Sequence, residues 1–186
     1  MRWLVLYSRS RQVGLAIAAV LAGTVVMSLL SRTAGDTASG RWAVLAVGLG
    51  AAAAGSGLGG VDPALERTAA IRWPVRRAVH VVVVAIVVGV VPLAAGLGPG
   101  SLILRDALGL SGLTALTATL AGAQLAWTLP VIWAVATVAF PITPTSPVLL
   151  VLTWPAGQAA GPAATLAAAV LAVGGTLTYA VVGCRR

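Results

Sequence analysis

Stretches of about twenty apolar residues, the length a helix needs to cross the hydrocarbon core of a bilayer, recur along this chain with almost no charge inside them. The first is Val13–Leu30, the second Trp42–Gly60, the third Ala78–Leu97 and the last Pro162–Val182. A helix satisfies its own backbone in lipid, so each stretch reads as a spanning helix. Composition closes off a water-soluble domain: 59% of residues are apolar and 9% charged, where a soluble chain has roughly a quarter charged. That much apolar surface cannot be hidden within 186 residues, because a small domain is largely surface. Disorder is excluded too, since disordered chains are poor in apolar residues.

The stretch Ala107–Phe140 is too long for one ordinary span. Gly122-Ala123-Gln124 interrupts it, which divides it into two short helices, Ala107–Ala123 and Leu125–Phe140. Pro130 lies inside the second and is expected to kink it by removing a backbone donor. Pro141, Pro144 and Pro147 break the chain again. Val148–Ala160 is apolar but too short to cross, which fits a re-entrant or interfacial segment. The expected fold is all-α: one polytopic transmembrane domain over 1–186, with helices at 13–30, 42–60, 78–97, 107–123, 125–140 and 162–182. The re-entrant segment 148–160 precedes the last helix.

The formal charge of +8 rests on twelve arginines and no lysine. In a soluble protein such a balance points to nucleic acid, but here the arginines punctuate apolar runs and form no stripe with aromatic residues. Nucleic acid is therefore not an expected partner. Positive residues favour the cytoplasmic side of a membrane. With the N-terminus inside, nine arginines lie inside (Arg2, Arg9, Arg11, Arg67, Arg72, Arg76, Arg77, Arg185, Arg186) and three outside (Arg32, Arg41, Arg105). Both termini are expected in the cytoplasm, in a multi-pass plasma-membrane protein. Trp42 and Phe140 then fall at the outer interface, and Trp73, Trp127 and Tyr179 near the inner one. Trp3, Leu4, Leu6 and Tyr7, interleaved with Arg2, Arg9 and Arg11, read as a short helix lying on the inner surface. The apolar run after them is longer than that of a cleaved signal peptide.

The segment from Asp62 to Trp73 carries the densest chemistry. Asp62 suits an N-cap and Pro63 the first helical position. Glu66 lies in the first turn, where the helix dipole favours an anion, and Pro74 disfavours helix at Trp73. The segment reads either as a capped connector or as a docking helix for a cytoplasmic partner. In the second case Leu65, Ala69 and Ile71 supply apolar contacts and Glu66, Arg67 and Arg72 polar ones.

Other chemistries lack their residues. A P-loop needs lysine on the phosphates, and the chain has none. Ion-coupled transporters keep an ionisable group inside the membrane, whereas Asp36, Asp62, Glu66 and Asp106 all fall in loops or at span ends by these boundaries. Gly109-Leu110-Ser111-Gly112 matches a short pattern of intramembrane serine proteases, but the single histidine, His80, precedes it. Ser111 reads instead as a small residue that permits close helix packing. Cys184 stands alone, so no disulfide or zinc framework is expected, and without ligand clusters neither is metal chemistry. Small residues at helical spacing, Ala51, Gly55 and Gly59 in the second span and Gly14, Ala18 and Ala22 in the first, favour tight bundling.

Several of these features together resemble the permease subunits of bacterial ABC-2-type exporters. They are an amphipathic N-terminal segment, six spans with both ends inside, a charged helix after the second span, and a broken hairpin between the fifth and sixth. Asp62-Pro-Ala-Leu-Glu-Arg-Thr-Ala with Arg72-Trp-Pro, Leu104-Arg-Asp with Gly109-Leu-Ser-Gly-Leu, and Leu125-Ala-Trp127-Thr-Leu-Pro130 are similar to stretches of the compact actinobacterial members. The resemblance implies a non-catalytic subunit without a cofactor of its own, powered by a separate cytoplasmic ATPase that binds ATP and Mg²⁺. Asp62, Leu65, Glu66, Arg67, Ala69, Arg72 and Trp73 would form the coupling helix seated on that ATPase. Two permease copies, identical or related, would carry a small molecule or peptide along their interface. Thr117, Gln124, Trp127, Pro130 and Trp133 are the candidate lining of that path, and 148–160 the outer gate. Two alternatives stand beside this expectation: a non-transporting membrane assembly protein that docks a cytoplasmic partner, and an ion-driven transporter using Asp106.

Overall fold

The computed structural model describes residues 12–35, 40–59, 73–139, 146–156 and 161–185. The expected N-terminal surface helix, the docking segment up to Arg72, Phe140 with the proline break after it, and residues 157–160 lie outside the described residues. Among the described residues all regular backbone is helical: α1 (Val13–Thr33), α2 (Arg41–Gly55), α3 (Trp73–Ala94), α4 (Gly100–Ala121), α5 (Thr128–Ala139), α6 (Pro147–Leu152) and α7 (Pro162–Val182). Single 3-10 turns follow α2 at Ser56–Leu58, α4 at Ala123–Leu125 and α6 at Trp154–Ala156.

Polarity sorts these helices. Four are long and apolar enough to cross a membrane: α1, α2 with its 3-10 turn, α3 and α7. Their exposed sides are apolar, with Leu21, Val25 and Leu29 on α1, Val82, Ile86 and Val90 on α3, and Val170, Val173 and Leu177 on α7. A chain whose long helices turn apolar faces outward is a membrane-embedded protein. α4 matches the longest of them at 22 residues but carries Arg105, Asp106, Ser111, Thr114, Thr117 and Thr119, all buried. It occupies the middle of the bundle and packs against α2, α3, α5 and α7. The placement follows from cost, because polar side chains are expensive against lipid and turn toward the bundle interior. Thr114, Thr117 and Thr119 also donate their hydroxyls to the carbonyls of Leu110, Leu113 and Ala115, one turn back, at 2.8, 2.7 and 2.8 Å, so they need no partner on a neighbouring helix.

Glycine lets the backbones meet where α4 crosses α7. A Cβ on Gly112 would come within 2.7 Å of the Leu171 carbonyl carbon, and one on Gly175 would strike the Gly112 carbonyl. Of the two small-residue ridges, the one on α2 is used: Gly55 lies against Thr114 and Ala126, and Ala51 is fully buried. The ridge Gly14, Ala18 and Ala22 on α1 faces outward.

Several boundaries differ from the sequence expectation. α4 begins at Gly100, so Arg105 and Asp106 are inside a helix; tertiary burial of the pair outweighs their loop-like polarity. Arg105 is thereby a packing residue and not an exposed loop charge. α5 begins at Thr128, which puts Pro130 in the first turn, where its missing N–H costs nothing, so the expected kink does not arise. Pro74 likewise opens α3 and does not merely end what precedes it. Gly122 ends α4 with φ +94°, a conformation open to glycine alone. Tyr179 is buried and donates its hydroxyl to the Leu58 carbonyl at 2.6 Å, joining α7 to the end of α2 in place of a position in an aromatic belt.

Gly112→Val is expected to lower stability by about 3 kcal/mol, the upper end of overpacking costs, because backbone occupies the space. Gly174→Ala on the same crossing element, with nothing within 4 Å, is expected to leave stability unchanged or raise it by about 0.5–1 kcal/mol. Thermal unfolding of both variants in detergent checks the contrast.

Candidate functional site

Neighbouring residues on a helix point about 100° apart, so an i, i+1 ion pair forms only if a long side chain bends back. Arg105 does this: its Nε and Nη2 both lie 3.0 Å from Asp106 Oδ1. The same Nη2 donates to the Trp154 carbonyl at 2.7 Å and approaches the Pro155 carbonyl at 3.4 Å. The guanidinium carbon also stands 5.8 Å from the centroid of the Trp154 ring, within cation–π range. Relative exposures are 8% for Arg105, 0% for Asp106 and 1% for Trp154. Burying the two charges is costly, and their mutual attraction offsets that cost only when the geometry is good and the remaining donors are satisfied. The two backbone carbonyls beyond α6 help to meet that condition.

The Trp154 ring enters a slot between α4 and α7. A Cβ on Gly109 would collide with the ring and lie 3.1 Å from the Ala168 Cα, so glycine at 109 is what opens the slot. Two polar atoms in this neighbourhood have no hydrogen-bond partner: Asp106 Oδ2 and Trp154 Nε1.

A second tether holds the segment from the other side. Ser146 caps α6 by accepting from the Leu149 amide at 3.3 Å, and Trp133 Nε1 on α5 donates to the Leu152 carbonyl at 2.7 Å. Between α5 and α6 lies an open apolar groove of about 400 Å³ walled by Leu129, Ile132, Trp133, Ala136 and Leu152. Its hydroxyls are spent locally, Thr137 on the carbonyls of Trp133 and Ala134 and Thr153 on that of Leu149.

The opposite end of the bundle is basic. Arg77 on α3 donates to the Ala180 carbonyl at 3.4 Å and lies over Gly183. Arg185 donates through its backbone N–H to Ala118 and through Nη1 to Leu120, at 3.1 and 3.3 Å. These cations meet the C-terminal carbonyls of α7 and α4, the negative ends of the helix dipoles.

The sequence-derived docking residues Asp62, Leu65, Glu66, Arg67, Ala69 and Arg72 lie outside the described residues, while Trp73 is the first residue of α3. Of the candidate path residues, Thr117 and Pro130 are buried, Trp133 is half-buried, and Gln124 and Trp127 are exposed. Trp133 contacts the groove and the tether; Gln124 and Trp127 take part in neither. Among the described residues no three His, Cys, Asp or Glu side chains gather as a metal site would require. Sequence reasoning missed Arg105 and Trp154. The available signal was an adjacent Arg-Asp within an otherwise uncharged stretch running from 78 to 140. No family model matches the chain, and no curated protein or solved structure matches it.

Arg105→Met leaves Asp106 buried and unpaired, and is expected to cost about 3–5 kcal/mol, the usual effect of breaking a buried pair. Arg105→Met together with Asp106→Leu is expected to be more stable than either single variant. A double-mutant cycle on thermal or denaturant unfolding reads the coupling; additive losses would show that the two side chains do not act as a pair.

Proposed function

We propose that this chain is the plasma-membrane permease subunit of an exporter, driven by a separate cytoplasmic ATPase and carrying a small molecule or peptide. The observation that carries the permease reading is the buried Arg105–Asp106 pair on a central helix, holding a short broken segment by its backbone carbonyls. Charged side chains are retained inside membrane bundles chiefly where they serve a pathway or a moving part. Non-helical backbone at that depth persists only where protein or a cavity encloses it. The external energy source is inferred from the absence of lysine, which rules out a P-loop within this chain. The resemblance to ABC-2-type permeases adds two copies of the chain per exporter and Asp62–Trp73 as the surface that seats the ATPase.

An ion-driven transporter is the second reading, favoured by one observation. The sequence places every acidic residue in a loop or at a span end, whereas Asp106 is inside α4, fully buried, with one carboxylate oxygen unpartnered.

Two measurements separate the readings. Arg72→Glu combined with Leu65→Asp is expected to abolish co-purification with an ATPase and stimulation of its activity while leaving membrane insertion intact. Undiminished stimulation would refute the docking role. In proteoliposomes without an ATPase, the ATP-driven reading expects a pH gradient alone to move no protons, read by an internal dye. A gradient-driven flux that disappears in Asp106→Asn would establish the second reading instead.

A further inference from the structure

We propose that the slot filled by Trp154 is a recognition site for an aromatic residue of a peptide or aromatic amide, and that Trp154–Pro155 occupies it as a built-in competitor. The absence of a side chain at Gly109 leaves the space that the planar ring takes, next to the Ala168 backbone. At the edge of the slot Arg105 accepts nothing and can only donate, and its acceptors are the peptide carbonyls of Trp154 and Pro155. Ring in the slot and backbone carbonyl on the guanidinium is the contact set of an aromatic residue within a peptide, here supplied in cis. The guanidinium close to the ring adds a cation–π component.

The resident tryptophan fills the slot incompletely in chemical terms. Its indole N–H finds no acceptor, and Asp106 Oδ2, fully buried on the carboxylate whose other oxygen meets the same guanidinium, finds no donor. Unpaired polar atoms in a buried site weaken the state that contains them. A ligand offering the same ring and carbonyl together with an amide N–H for Asp106 Oδ2 would satisfy what Trp154 leaves open. Self-occupancy also lowers apparent affinity by the fraction of molecules whose slot is free, so the chain would respond to ligands that compete with its own segment. Use of the slot for a transported substrate rests on the permease reading; binding itself does not.

The probe is N-acetyl-tryptophanamide, which carries the ring, the carbonyls and the amide N–H. Its binding to the purified chain in lipid nanodiscs is measured by equilibrium dialysis against empty nanodiscs. Trp154→Gly is expected to bind it about tenfold tighter than the unaltered chain, the factor that a competitor of about 1.4 kcal/mol imposes, and Trp154→Phe to fall between. N-acetyl-leucinamide is expected not to compete. Removing the pair in the Trp154→Gly background, by Arg105→Met with Asp106→Leu, is expected to cancel the gain. No gain in Trp154→Gly or Trp154→Phe overturns the proposal, as does a gain that survives loss of the pair or is competed equally by the leucine amide. Should Trp154→Gly fail to fold, Trp154→Phe decides alone. Probe binding with no co-purifying ATPase and no proton flux would leave the slot standing and the permease reading refuted; the reverse pattern would do the opposite.

Discussion

A buried ion pair in a medium that cannot solvate it sets the terms for everything around it. Arg105 and Asp106 tolerate their position because protein encloses them on every side and because two backbone carbonyls from beyond α6 accept what Asp106 does not. Enclosure requires α4 to be central, and a central helix surrounded by four others requires close approach. Gly109, Gly112 and Gly175 on the α4–α7 contact supply it, with Gly55 and Ala51 doing the same from α2. The hydroxyls of Thr114, Thr117 and Thr119 return to their own helix, so along the middle of α4 shape rather than hydrogen bonding joins it to its neighbours. Dispersion between tightly fitted backbones is the main attraction where lipid competes with apolar side chains.

What could be read in the sequence was what depends on local chemistry. Apolar runs gave α1, α2, α3 and α7, and Gly122 marked the helix break that its positive φ later explains. The small-residue ridge on α2 was legible, but so was an equivalent one on α1 that faces outward. Spacing alone does not say whether another helix lies opposite. Prolines misled for a similar reason: Pro74 and Pro130 are breakers inside a helix but starters at its first turn, and only the true boundary distinguishes the two. Arg105 and Asp106 read as a loop or span end because charge usually marks one in such chains. Their partners are backbone carbonyls 49 and 50 positions away, which no local pattern announces.

The two ends of the bundle use arginine differently. At one end Arg105 is withdrawn into the interior and reads backbone carbonyls of a short segment. At the other, Arg77 and Arg185 sit at the C-termini of α7 and α4, where free carbonyls concentrate negative potential. The common element is the guanidinium fork, which can serve several carbonyls at once. A lysine could not divide its contacts between Asp106, Trp154 and Pro155 with the same fixed geometry.

The contact between Arg105 and Trp154 also has an order in time. Its acceptors are encoded 49 residues after the guanidinium, an interval of several seconds at about 5–20 residues per second of synthesis. During that interval α4, too polar to count among the four helices apolar enough to cross a membrane, holds a carboxylate that meets its guanidinium and a guanidinium only half-served. Of the helices packed around it, α2 and α3 precede it and α5 is made within the interval, while α7 is still to come. The C-terminal third of the chain, with Trp154 and α7, therefore completes an insertion begun before it existed. A ribosome halted before Trp154 would leave the most polar helix at the edge of an unfinished bundle, a state that insertion factors or quality-control proteases can recognise.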